Sequence, residues 1–376
     1  MNSELNILAI SYAKRALQEG SREQRRMISY AQAVDDYRII VFTKKKDNLP
    51  EIYKKENLTV YGTNTRTRVG MLLKAYTIGK KILEERKQKN WVVSSQDPFI
   101  TSIVGRMLAR AKSATHHVQV HGDPFSVKQT KSLWKRIWNI YAAYILRHSA
   151  AVRVVSQRAK KSIVSLGVDA SKITVLPIAE DVRPFLEVGA KRRYENVTPV
   201  TFLYVGRLSS EKNIARIIRS FAEVYIMNKN IRLHIVGEGK CRQSLQDLTK
   251  KYHIEEVVTF VPWSDDVPKC MSGADVFTFA SLHEGYGLVL IEAMASGLPV
   301  VTTDVGCVGE VLIDNQHGIV VSDDTDESYI QALHKMVTNE AKRKEYGQNG
   351  YQTIKKLNQS QEIYIQKWKD SFKVIR

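Results

Sequence analysis

The stretch Val276-Phe277-Thr278-Phe279-Ala280-Ser281-Leu282-His283-Glu284-Gly285-Tyr286-Gly287-Leu288-Val289-Leu290-Ile291-Glu292-Ala293-Met294-Ala295-Ser296-Gly297-Leu298-Pro299 decides the architecture. Its first four residues are β-branched or aromatic, a glycine-bearing loop follows, and an apolar run then ends at Gly297 with Pro299 just beyond. That order predicts a strand, a loop, and a helix with the usual glycine and proline stop. A second β-branched run, Pro299 to Thr302, follows at once, so the unit reads as βαβ. The same alternation extends in both directions. Upstream lie Val200 to Val205, Arg232 to Val236 and Val257 to Val261, and downstream lies Gly318 to Val321. The first half repeats the pattern with Leu5 to Ile10, Arg38 to Thr43, Leu58 to Tyr61, Trp91 to Ser94, His117 to His121, Ala151 to Val155 and Ile173 to Leu176. Most of these runs are apolar on successive residues, as strands of a parallel sheet covered on both faces must be.

The expected fold class is therefore α/β, with two Rossmann-like domains. Ala179 to Pro199 is polar, lacks a period and contains Pro184 and Pro199, which places the connection there. The expected division is 1–182, a linker over 183–199, a second domain over 200–357, and a final helix over 358–376 able to cross back. With 376 residues, 43% of them apolar and 26% charged, the chain has the composition of a folded globular protein. Three scattered cysteines, Cys241, Cys270 and Cys307, fit neither a disulfide framework nor a zinc cluster and point to a reducing compartment. The start lacks the basic and apolar pattern of a signal peptide, and no run approaches a membrane span. The net charge of +18 is uneven: residues 1–200 carry +19 and the remainder −1. The first half should thus attract nucleic acid, an anionic membrane or a phosphorylated substrate.

In an open α/β sheet, ligands bind beyond the carboxyl ends of the strands. Gly285 and Gly287 leave the backbone bare where the helix begins, and free N–H groups at the positive end of a helix dipole suit phosphate. Glu284 and Glu292 are carboxylates able to accept paired hydrogen bonds from vicinal hydroxyls, as in a sugar or ribose ring. A helix start favouring one acidic residue would explain Glu284 but neither Glu292 nor both glycines. Upstream, Tyr204-Val205-Gly206-Arg207-Leu208-Ser209-Ser210-Glu211-Lys212-Asn213 ends a strand and supplies two cations. A guanidinium fork and an ammonium can converge on a diphosphate, although a basic loop is more often merely solvated.

Together these motifs resemble glycosyltransferase family 4, the retaining nucleotide-sugar transferases of the GT-B fold, most specifically over residues 200–321. The resemblance implies two domains facing each other across a cleft. It implies that Arg207 and Lys212 hold the donor diphosphate, that Glu284 contacts the donor sugar, and that Glu292 contacts the ribose. Gly206 and the amides of Gly285, Tyr286, Gly287 and Leu288 would lie against phosphates or sugar, and Glu238 and Trp263 near the nucleoside. Trp263 would stack on or flank the base, or simply pack. The donor would be a UDP- or GDP-sugar, with no cofactor and no bound metal, because cations and the helix start neutralise the leaving diphosphate. Lys212→Ala should lower turnover with little effect on folding.

In the first domain, His121 ends a strand at the ligand edge and matches the family position near the transferred sugar and acceptor. Asp123 is either the base that deprotonates the acceptor or part of an ordinary Gly-Asp-Pro turn. The family's glycine pair after the first strand is missing. Gly20 and Ser21 stand in its place on the acceptor side, with Arg22 as a further phosphate contact. Lys128 to His148 is amphipathic, with Trp134, Trp138, Tyr141 and Tyr144 on one face. Such a helix either packs on its own sheet or sits among anionic headgroups, each nearby cation contributing on the order of 1 kcal/mol.

The leading expectation is transfer of a sugar to a glycan or lipid-linked oligosaccharide acceptor in cell-surface polysaccharide biosynthesis, in the cytoplasm and peripherally on the membrane. A nucleotide-sugar epimerase on the same fold is an alternative. A phosphorylase is disfavoured because no lysine motif for pyridoxal is present. A nucleic-acid binder is prompted only by charge, since no zinc finger, basic zipper or RNA-stacking motif accompanies it; no nucleic-acid partner is expected.

Overall fold

Strands buried on both faces dominate both halves of the chain, and they assemble into two separate sheets. The computed structural model describes residues 4–85, 90–122, 125, 133–179, 181–194, 198–264 and 266–373, without the side chains of 133–135. It divides into one unit of residues 1–179 and 360–376 and another of residues 180–359.

The first unit holds β1 (Asn6–Ser11), β2 (Asp36–Val41), β3 (Ile52–Lys55), β4 (Leu58–Gly62), β5 (Trp91–Ser95), β6 (Thr115–Val120), β7 (Ala151–Val154) and β8 (Ile173–Val175). Their order is β3-β4-β2-β1-β5-β6-β7-β8, and every pair is parallel except β3 with β4. Sequence reading missed β3, whose residues are mostly exposed and end in Lys54 and Lys55. An edge strand needs no second buried face, and lysines there block further pairing. Helices α1 (Arg22–Ala31), α2 (Arg68–Glu85), α3 (Ile100–Ala111), α4 (Leu133–Arg147) and α5 (Gln157–Val164) connect the strands.

The second unit opens with α6 (Arg183–Lys191), inside the stretch expected to be a linker. The expectation over 183–199 is corrected there. Pro184 serves as a helix-starting residue, and Phe185 is buried in this unit's core. β9 (Val200–Val205), β10 (Ile231–Val236), β11 (Val258–Val261), β12 (Val276–Phe279), β13 (Val300–Thr303) and β14 (Gly318–Val321) form an all-parallel sheet ordered β11-β10-β9-β12-β13-β14. Between and after them run α7 (Ile214–Met227), α8 (Arg242–Lys251), α9 (Val267–Ser272), α10 (Leu288–Ala295), α11 (Asp326–Thr338) and α12 (Glu340–Leu357). The final helix, α13 (Gln361–Asp370), is started by Ser360, whose hydroxyl accepts from the Ile363 amide. Its Trp368 joins the core of the first unit, stacking 4.5 Å from Tyr30.

Candidate functional site

Apolar β9 and β12 lie side by side in the second sheet, so the loops at their carboxyl ends must emerge together. Backbone hydrogen bonds tie them. Glu211 O accepts from the Leu282 amide at 2.8 Å and from Ser281 Oγ at 3.2 Å. The loop after β10 is joined to the same assembly, with Leu208 N donating to Glu238 O at 2.9 Å and Cys241 N to Leu208 O at 3.0 Å. Glycine is needed where these loops touch. A Cβ on Gly237 would stand 1.9 Å from Gly206 O, and one on Gly239 would stand 2.2 Å from Leu208 O.

On this frame the sequence-identified residues come together. Lys212 Nζ donates to Glu284 Oε1, joining the loop after β9 to the loop after β12. Each side chain is only 14% exposed, and Nζ lies 5.5 Å from the Phe279 ring centroid. Arg207 is the opposite case. Its side chain is 77% exposed, with a loose 3.7 Å contact to Glu211, so its fork is presented to solvent at the same edge. The Tyr204 hydroxyl donates to Arg207 O at 3.0 Å. Burial, reinforced by Glu284 and Glu211, pushes that phenol far up, so it stays a donor.

Gly287, at φ +77°, turns the chain into α10, a left-handed conformation that favours glycine. Tyr286 O accepts from the Cys307 amide at 2.8 Å, and Gly306 leaves room for it, since a Cβ there would lie 2.4 Å from that oxygen. Gly285 and Tyr286 therefore form a braced loop; Leu290 N donates back to Gly287 O at 2.9 Å, and the amides of Leu288 and Val289 precede that first helical bond. Glu292 is 7% exposed on the same helix. Glu238 and Trp263 follow β10 and β11 and so occupy the same carboxyl edge. Glu238 is half exposed and pairs with Arg242 at 3.2 Å, while Trp263 is 45% exposed. The second unit thus gathers Gly206, Arg207, Lys212, Glu238, Trp263, Glu284, Gly285 to Leu288 and Glu292 along one sheet edge.

The first unit presents its own edge. His121 follows β6, and its Nδ1 is buried without a hydrogen-bond partner. Burial, with Arg153 and Arg26 adding repulsion, pulls its pKa down to about 3, so the ring is neutral at pH 7. Arg153 is a buried cation on β7 that sequence reading missed. Its guanidinium donates to Gln119 Oε1 at 3.2 Å, Leu176 O at 3.1 Å, Pro177 O at 2.8 Å and the Tyr364 hydroxyl at 2.7 Å. The signal was a lone cation inside an apolar strand. Gly20 has φ +71°. Ser21 caps α1, accepting from Gln24 N at 3.1 Å and donating to Arg15 O, and Arg22 is exposed. Asp123 lies outside the described residues. Among the described residues no cluster of three or more His, Cys, Asp or Glu side chains could hold a metal ion.

Two family models match the chain: glycosyl transferase 4-like domain over residues 19–179 and glycosyl transferases group 1 over residues 190–353. A 145-residue region is 35% identical to the N-acetylgalactosamine-N,N'-diacetylbacillosaminyl-diphospho-undecaprenol 4-alpha-N-acetylgalactosaminyltransferase of Campylobacter jejuni, covering 38% of this chain and 39% of that protein. The alignment thus spans well under two thirds of that relative. Over 292 residues the chain is 25% identical to the UDP-Gal:alpha-D-GlcNAc-diphosphoundecaprenol alpha-1,3-galactosyltransferase of Escherichia coli, covering 70% and 73% of the two. Sucrose-phosphate synthase from Thermosynechococcus elongatus shares the fold with a TM-score of 0.77 at 18% identity, covering 97% of this chain and 98% of that one.

Proposed function

We propose that this chain, which belongs to the family 4 glycosyltransferases of the GT-B fold, transfers a sugar with retention from a UDP- or GDP-sugar to a glycan or lipid-linked oligosaccharide acceptor. The observation that carries the reading is the Lys212–Glu284 pair beside the start of α10. It sets an ammonium, a carboxylate and unpaired amides within one braced pocket edge. Lys212, the exposed Arg207 fork and the α10 amides take up the charge that grows on the diphosphate as the bond between the anomeric carbon and the phosphate oxygen breaks. The bonding pair leaves with that oxygen. The acceptor hydroxyl then attacks from the same face, and its proton passes to the departing diphosphate.

Glu284 accepts hydrogen bonds from the donor sugar hydroxyls, Glu292 from the ribose, and Glu238 and Trp263 flank the nucleoside. Neutral His121 serves the sugar or acceptor as a hydrogen-bonding group, and Asp123, Gly20, Ser21 and Arg22 stand on the acceptor side. The chemistry needs no metal. Two relatives are named for diphospho-undecaprenol substrates, which supports a lipid-linked acceptor, polysaccharide biosynthesis and work at the cytoplasmic membrane face. No described helix is long and apolar enough to cross a membrane, and the reading takes attachment to be peripheral, through the basic first half of the chain.

Thermal-shift screening against UDP-, GDP- and ADP-sugars tests the reading, because a ligand that binds only the native state raises the melting point. A selective shift with a UDP- or GDP-sugar, followed by a product with unchanged anomeric configuration, is expected. Absence of any shift, or an inverted product, contradicts it.

A further inference from the structure

We propose that the outer face of α2, α3 and α4 is a docking surface for an anionic lipid bilayer, an inference that rests on the membrane-surface reading above and gives it a structure. The three helices cover one face of the first sheet. Ala75 and Ile82 of α2 and Val104 and Leu108 of α3 pack with Val93, while Ile145 and Leu146 of α4 pack with Val118. Ser95 pairs with Val118 across the parallel strands β5 and β6, so Val93, two residues before Ser95, points to the same side as Val118. The inward faces are thereby satisfied.

The outward faces nonetheless carry large aliphatic side chains. Val69 and Leu73 on α2 are 66% and 65% exposed, Met107 on α3 is 51% exposed, and Ile137 and Ile140 on α4 are 50% and 71% exposed. Sequence reading placed the apolar stripe of α4 so that the helix either packed or met lipid. Here Ala142, Ile145 and Leu146 pack inward while Ile137, Trp138 and Ile140 remain outward, so the helix packs on its sheet and still presents an apolar face. Arg106 ties α3 to α4, donating to the Tyr144 hydroxyl at 3.0 Å with its guanidinium 4.8 Å from that ring.

Charge names the occupant. Residues 66–85, 100–112 and 133–148 contain eleven Lys and Arg against two acidic residues, Glu84 and Glu85, which lie at the end of α2 and pair with Lys80, Lys81 and Lys112. Scattered apolar residues are normal on any surface, but apolar side chains set among a large excess of cations, with the two anions confined to the end of α2, match an interface of acyl chains beneath acidic headgroups. A nucleic acid would use the cations and leave Leu73 and Ile140 unpartnered.

Flotation of the full-length protein with vesicles of pure phosphatidylcholine, and with vesicles containing about 30% phosphatidylglycerol, tests this. The expected result is roughly tenfold stronger binding to the anionic vesicles, weakened by salt. The double variant Leu73→Glu/Ile140→Glu and the triple variant Lys74→Glu/Arg110→Glu/Arg136→Glu should each lower that binding about tenfold or more. These positions are exposed, so melting temperature, nucleotide binding and transfer to a water-soluble acceptor should be unchanged. Equal binding to both vesicle types, undiminished binding by both variants, tighter binding of duplex DNA than of vesicles, or a dimer that the Leu73/Ile140 variant abolishes would each overturn it. Loss of transfer to the soluble acceptor in the unmodified protein would instead count against the proposed reaction.

Discussion

Lys212 and Glu284 neutralise one another in a setting only 14% open to solvent, and this changes what a substitution there must do. Removing the ammonium leaves the partly buried Glu284 carboxylate without this partner. Lys212→Ala should therefore lower turnover by roughly a hundredfold or more through lost charge stabilisation. It should also destabilise the protein by about 1–3 kcal/mol, since breaking a partly buried pair strands its partner. The second effect revises the expectation that folding would be spared. Lys212→Met combined with Glu284→Gln should recover most of the stability and none of the activity, measured by chemical denaturation and initial rates. Recovery of activity in the double variant would remove both residues from the chemistry. The types and spacing of Arg207, Lys212, Glu284 and Glu292 were legible because loop glycines and charged side chains at strand ends leave a local signature. Their mutual pairing was not, because it joins residues 72 positions apart through a sheet whose strand order no local pattern states.

At the scale of elements, the strands were legible because parallel sheets demand continuous apolar runs. The departures have physical causes. β3 is a charged edge strand, and α6 hides its period in nine residues among prolines and charges. α13 shows how a terminal element can matter more than its polar sequence suggests. Trp368 is 1% exposed, stacked on Tyr30 and edge-on to Tyr37 at 5.8 Å. Trp368→Ala should cost about 3–5 kcal/mol, as large aromatic truncations in cores do. Because Trp368 lies in the first unit's core, nucleotide binding by the second unit should persist at temperatures where that core has melted. Circular dichroism melts with and without UDP would show this, and loss of nucleotide binding in the folded variant would contradict it.

Across the whole molecule, the excess positive charge belongs to the half that carries His116, His117 and His121. His116 is pulled down to about 4 and His121 to about 3, chiefly by burial, and His117 lies well below its ordinary value for the same reason. Each is neutral when folded and takes a proton near pH 6.5 when unfolded. The unfolded chain then binds more protons below that pH, so stability must fall as pH drops from about 6.5 toward 4 and stay level above it. At pH 5 the loss should be on the order of 2 kcal/mol for each of His116 and His121, with His117 acting in the same direction. Melting temperatures between pH 7.5 and 5 should show that decline, and His116→Asn should make it shallower by that residue's share. A profile unchanged down to pH 5 would contradict the neutral assignment.

Where the diphosphate binds decides whether Lys212, Arg207 and the α10 amides have the roles proposed for them. A crystal structure of the protein soaked with UDP and with GDP should show the β-phosphate within about 3 Å of Lys212 Nζ and of an amide at the start of α10, with the Arg207 side chain drawn toward it. Nucleotide density elsewhere, or a diphosphate that touches neither Lys212 nor the α10 amides, would contradict the account.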